Sequence, residues 1–139
     1  MMYLLAPLLG WLVSGTLKFL INSLRYGKEA RSRIGNGGFP STHTTIITTV
    51  TFLIGFREGF DNPIFALGIA VCFIVIIDAL GLRRAVGKHA EFLNQIGQVG
   101  IVGVQPRPLR ESMGHTRMEV VGGICVGSSV AWVMSMIII

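Results

Sequence analysis

Two histidines in this sequence stand where an imidazole can work on a phosphate. His43 closes the run Gly37-Gly38-Phe39-Pro40-Ser41-Thr42-His43, a glycine-led polar turn leading straight into an apolar segment that begins at Thr44. The glycines let backbone approach a ligand, Pro40 fixes the entry, Ser41 and Thr42 can cap the next helix, and His43 falls in its first turn. Such a helix start offers free N–H groups and the positive end of the helix dipole to an anion, with an imidazole beside them to exchange a proton. An ordinary capped helix with an incidental histidine would read the same, so the other residues decide. His115 is followed four residues later by Glu119. On one helix that pair shares a face, and a carboxylate bonded to one ring nitrogen fixes the tautomer and leaves the other nitrogen free to attack. A nucleophilic histidine, a second one as acid, and several cations around them equip a site for phosphoryl transfer in which lysine and arginine neutralise the charge. Neither a metal nor another cofactor is expected.

The elements that must position these residues are membrane helices. The chain is 139 residues, 51% hydrophobic and only 14% charged, with a mean hydropathy of +0.65, which excludes an ordinary soluble domain and leaves one membrane domain over 1–139. Apolar segments run from about Met2 to Leu24, Thr44 to Phe56, Ile64 to Leu82 and Met118 to Ile139. The first lacks a preceding lysine or arginine and a clear cleavage site, and reads as a retained span rather than a signal peptide. The second is short, about 20 Å, and rich in threonine, so it is expected to be tilted or buried among the others. Asp61-Asn62-Pro63 announces the third through a cap and an N1 proline. Arg83 to about Gln98 is amphipathic, with Val86, Ala90, Leu93 and Ile96 against Arg84, Lys88, Glu91 and Gln95, and reads as a helix lying in the membrane interface. The fold class is therefore all-α, a polytopic membrane helical bundle of about four transmembrane helices plus an interfacial amphipathic helix.

Charge placement adds detail. The net charge is +5, and nearly all cations fall in two stretches, Arg25 to His43 and Arg83 to Arg117. The positive-inside rule puts both on the cytoplasmic side, with the termini and the turn Arg57 to Asn62 outside. Up-down order then brings Lys18, His43, Arg83 and His115 to one membrane face. Lys18, the only charge in its segment, either snorkels to the interface or faces a polar site. Asp78 is expected to sit under Arg83 and Arg84 and hold one of them. Cys72 and Cys125 read as packing residues. Gly122, Gly123, Gly127 and Ser128 form a close packing face, which could also pair two copies of the chain. His89 is either a surface histidine or a third imidazole for a metal with His43 and His115, although its spacing fits no usual ligand pattern.

Pro40-Ser41-Thr42-His43 resembles the Pro-Ser-Gly-His motif of the type 2 phosphatidic acid phosphatase and vanadium haloperoxidase superfamily. Gly114-His115-Thr116-Arg117-Met118-Glu119 is similar to its last motif, and the order Gly-Gly-Phe-Pro-Ser-Thr-His, Asp78 to Arg84, Gly-His-Thr resembles its small divergent branch. The resemblance implies that His115 forms a phosphohistidine, Glu119 orients it and His43 is the general acid. It implies that Ser41 and backbone near Gly38 bind phosphate oxygens, with Thr42 in the place of the motif's glycine. Lys18 matches the lysine of the first motif, and Arg25 or Arg33 its arginine. Leu109 stands where the last motif has an arginine, whose part falls to Arg83 or Arg84.

These readings combine into a membrane phosphatase acting on a lipid phosphate or diphosphate, sensitive to vanadate, with membrane lipids as its surroundings and no nucleic-acid partner. Its expected place is a bacterial cytoplasmic membrane, with the site on the cytoplasmic face. A non-catalytic anionic-lipid-binding protein would keep the cations without needing both histidines and Glu119. A vanadate-dependent haloperoxidase would use the same pocket, but those relatives are usually larger and soluble.

Overall fold

The computed structural model describes residues 2–27, 38–98 and 108–137, and every regular element there is a helix. In chain order these are α1 (Met2–Tyr26), α2 (Thr42–Glu58), α3 (Pro63–Leu80), α4 (Leu82–Gln98) and α5 (Arg117–Ile137). Their starts follow from local sequence. Ser41 caps α2, its Oγ accepting from the Thr44 N–H. Asn62 caps α3 through a 2.8 Å bond from the Ile64 N–H, with Pro63 in the first turn. At α5 the Thr116 N–H donates to the Glu119 carboxylate while the Glu119 N–H donates to Thr116 Oγ1, at 3.1 and 3.3 Å. This is a capping box, in which two otherwise orphaned backbone N–H groups each donate to the other residue's side chain.

Three helices are long and apolar enough to cross a membrane: α1, α3 with its continuation into α4, and α5. The sequence pattern predicts four spans, and α2 is the one that differs. At 17 residues it is about 25 Å long. It is the central element, packed against α1, α3 and α5, and no residue from Thr44 to Gly55 is exposed. A helix enclosed by protein needs no apolar surface, which explains its threonines. Thr45 Oγ1 donates to the Ser41 carbonyl at 2.9 Å and Thr49 Oγ1 to the Thr45 carbonyl at 2.8 Å. Among the described residues no buried side-chain nitrogen or oxygen lacks a hydrogen bond, so this polar interior carries no desolvation penalty for unmet groups.

Small side chains also bring the neighbours close. Gly10 of α1 lies on Thr49, Gly68 of α3 on Thr51, and Gly123 and Gly127 of α5 on the backbone of α2. A Cβ at Gly127 would sit 2.7 Å from the Thr45 carbonyl oxygen, and one at Gly123 would sit 2.8 Å from that of Ser41. Gly123 and Gly127 thus serve close packing of α5 against α2 inside the chain. Cys72 packs beside Thr51, whereas Cys125 is exposed and does not pack as expected.

Polarity is graded along α2. Its C-terminal end meets Ala6, Ala131 and Met134 around Leu53, with Phe52, Phe56, Phe60 and Phe65 in edge-to-face contact beside them. Tyr3 donates to Glu58 at that end. Its N-terminal end carries His43 and meets the ends of the other helices.

Candidate active site

Four helix ends converge at the start of α2. The Ser41 N–H donates to the Glu119 carbonyl at 2.9 Å, joining the α2 entry to the first turn of α5. The His115 N–H donates to the Ala79 carbonyl at 3.0 Å, joining the α5 entry to the last turn of α3. Gly114 makes the second junction possible: its φ is +87°, in the left-handed region, and a Cβ there would lie 2.5 Å from Arg84 Cγ. Gly38, at φ +99°, turns the chain into Phe39 in the same way.

His115 is buried, only 8% exposed, and its Nδ1 lies 2.9 Å from Glu119 Oε2. The carboxylate that caps α5 therefore also holds the imidazole, which fixes the Nδ1–H tautomer and leaves Nε2 as the available nitrogen. The ring of His43 is 6.4 Å away, centre to centre, and tilted by 58°. At that distance the imidazoles neither stack nor bond to each other, so both can address one group between them. Arg83, Lys18 and Asp78 are the charged neighbours of His43.

Both rings line a cavity of about 230 Å³ together with Lys18, Thr42, Arg83, Arg110, Ser112, Met113 and Gly114. Lys18 faces this polar site, the second of its two predicted positions. Asp78 accepts from Arg83 Nε, as expected, and aims that guanidinium from the start of α4. A cavity this small, with three cations and two imidazoles in its wall, suits an anion of phosphate size.

Other predicted contacts fall elsewhere. Ser41 is fully buried, and its Oγ is occupied by the Thr44 N–H and by Thr44 Oγ1, so it shapes the turn and does not face the cavity. Gly38 also lies outside the lining, and Thr42 is the member of the turn that reaches it. Arg25 is exposed at the end of α1, about two turns beyond Lys18 on the same face. Arg84 is exposed, one residue and so about 100° round the helix from Arg83, and packs over Gly114. Arg33 lies outside the described residues. His89 is exposed, and among the described residues no three His, Cys, Asp or Glu side chains are grouped as a metal would require. Arg110 is the residue that sequence reasoning missed. It lies five residues before His115 where six were sought, and a strict spacing rule passes over it.

A family model described as the Divergent PAP2 family matches residues 1–130. The chain belongs to the Divergent PAP2 family. It is also similar to the uncharacterized membrane protein YuiD of Bacillus subtilis (strain 168), at 32% identity over 60 residues. That match spans 43% of this chain and 38% of the relative. No solved structure matches the chain. Membership of the Divergent PAP2 family agrees with the resemblance read from the two histidine motifs. In this divergent PAP2 protein those motifs sit at the entries of α2 and α5, which the two backbone bonds above lock to each other and to α3.

Proposed function

We propose that this protein is a membrane phosphatase that hydrolyses a phosphate or diphosphate carried by a lipid, through a phosphohistidine at His115 and without a metal. The observation that carries this reading is the Glu119-held imidazole of His115, facing a cavity that also contains His43 and three cations. His115 Nε2 attacks phosphorus, the bond from phosphorus to the lipid oxygen breaks, and His43 gives that oxygen its proton. Water then attacks the phosphohistidine, passes its proton to His43, and releases inorganic phosphate with free His115. Lys18, Arg83 and Arg110 stabilise the charge on the equatorial oxygens throughout. A charged head in this cavity with an apolar tail among the helices suits a site at the membrane surface. In this reading α4 lies along that surface, its exposed Leu82, Val86, Phe92 and Leu93 turned to lipid. A protein that only bound anionic lipid would have use for the cations, and for Glu119 as the cap of α5, but none for an imidazole held beside them with Nε2 left free.

The direct test is phosphate release from lipid phosphates and diphosphates by the purified protein, with and without chelator. Release that persists in chelator and disappears in His115→Ala is the expected result; release by His115→Ala equal to that of the wild type removes the mechanism.

A further inference from the structure

Arg110 and Ser112 reach the cavity from a segment without helix or strand, residues 108–116, and something must hold that segment in place. One end is fixed where the His115 N–H meets the Ala79 carbonyl at 3.0 Å. The other end is held by a side chain of α4. Asn94 Nδ2 donates to the Leu109 carbonyl at 2.8 Å, and the Leu109 N–H donates back to Asn94 Oδ1 at 2.7 Å. The same Nδ2 donates to the Glu111 carboxylate at 2.7 Å. A primary amide carries a donor and an acceptor side by side, so it can pair with both polar groups of one backbone residue, which an ionised carboxylate cannot do.

The face of α4 that bears Asn94 is built for this contact. Arg83, Gly87, Ala90 and Asn94 follow one another at helical spacing along one stripe. Arg83 enters the cavity at one end, and Gly87 and Ala90 are buried in the middle. A Cβ at Gly87 would lie 2.6 Å from the Glu111 carbonyl oxygen, so the segment rests on the helix where a larger residue would lift it off. The sequence pattern puts Ala90 on one side with Val86 and Leu93, but it is buried while they are exposed. The helix thus has an inner small-residue stripe distinct from its outer apolar one.

We infer that Asn94 is a positioning residue of the phosphate site: by latching Leu109 and Glu111 to α4, it holds Arg110 where its guanidinium meets the anion. This rests on the phosphatase reading. It extends the site to a helix that offers only Arg83 directly, and makes the spacing between Arg83 and Asn94 set the spacing between two of the cations.

The test is a double-mutant cycle on orthovanadate affinity, measured by titration calorimetry on the purified full chain, with Asn94→Ala, Arg110→Ala and the pair combined. If Asn94 acts through Arg110, each single change weakens binding by about tenfold, and the double variant binds no more weakly than Arg110→Ala alone. Multiplying losses would show that Asn94 serves general stability and would overturn the inference while leaving the phosphatase reading intact. Absence of vanadate binding in the wild type would overturn both. Amide hydrogen exchange at Leu109 gives a readout independent of anion binding. Exchange there should accelerate at least tenfold in Asn94→Ala while α5 keeps its protection, and an unchanged Leu109 rate would remove the latch. Should Asn94→Ala fail to fold, Asn94→Leu, which is close in size and loses both the donor and the acceptor, carries the same comparison.

Discussion

His115 and His43 differ in how they are held, and that difference predicts different consequences when each is removed. His115 is buried and tied to Glu119, whereas His43 is exposed in the first turn of α2. A group that must form a bond to phosphorus cannot be replaced by water, so His115→Ala is expected to give no covalent phosphoenzyme from any substrate. A general acid is needed in proportion to the basicity of the leaving oxygen. His43→Ala should therefore slow phosphoenzyme formation by roughly 100- to 10,000-fold on an alkyl phosphate and much less on a nitrophenyl phosphate. Single-turnover rates are the right measure, because in the proposed cycle His43 also serves the hydrolysis of the intermediate. Equal losses on both substrates would assign His43 to phosphate binding instead of proton transfer.

At the scale of elements, α2 is a threonine helix gripped by glycines on three neighbours. Replacing Gly127 by Val drives a side chain against the Thr45 carbonyl, with an added Cβ only 2.7 Å away. Overpacking of this kind should lower stability by about 1–3 kcal/mol, read as a lower midpoint of thermal unfolding in detergent. Gly15 on α1 is the control, since a Cβ there meets nothing within 4 Å. Gly15→Ala should leave the midpoint unchanged or raise it slightly, because alanine is the better helix former by about 1 kcal/mol. If both substitutions behaved alike, the close approach of α5 to α2 would not be what holds the bundle.

For the whole molecule, four helix ends converge at the site and the turn around Asp61 lies at the opposite end of α2 and α3, which in the proposed reading are the two faces of a membrane. With Cys72 and Cys125 replaced by Ser, a cysteine at Lys88 is expected to react with an impermeant thiol reagent from the cytoplasmic side, and one at Asp61 from outside. The reverse pattern would mean that the cations are placed by the anion they bind and override the positive-inside bias. The site would then face outward with its internal geometry unchanged.

Much of this was legible in the sequence because its signals are local. Apolar length marked α1, α3 and α5, and Asn62-Pro63 marked the start of α3; the spacing from His115 to Glu119 pointed to their contact, although His115 stands before α5 and meets Glu119 through the cap rather than along a shared helix face. Asp78 just before Arg83 and Arg84 announced an ion pair with one of them, and the structure forms it with Arg83. The rest depended on how helices face one another, which no single segment encodes. Whether Ser41 caps or binds is decided by the approach of Glu119 and Thr44 around it. Whether α2 meets lipid is decided by the glycines of three other helices. Arg25 and Lys18 share a helix face, and only the depth of the cavity separates their roles. Arg110 reaches the site because Asn94, a side chain fifteen residues before Leu109, holds the backbone there. Sequence alone determined the helices and the pair of groups that could do chemistry. Which cations surround that pair was left to tertiary packing, because a cation's place is set by the segment that carries it and by what that segment rests on.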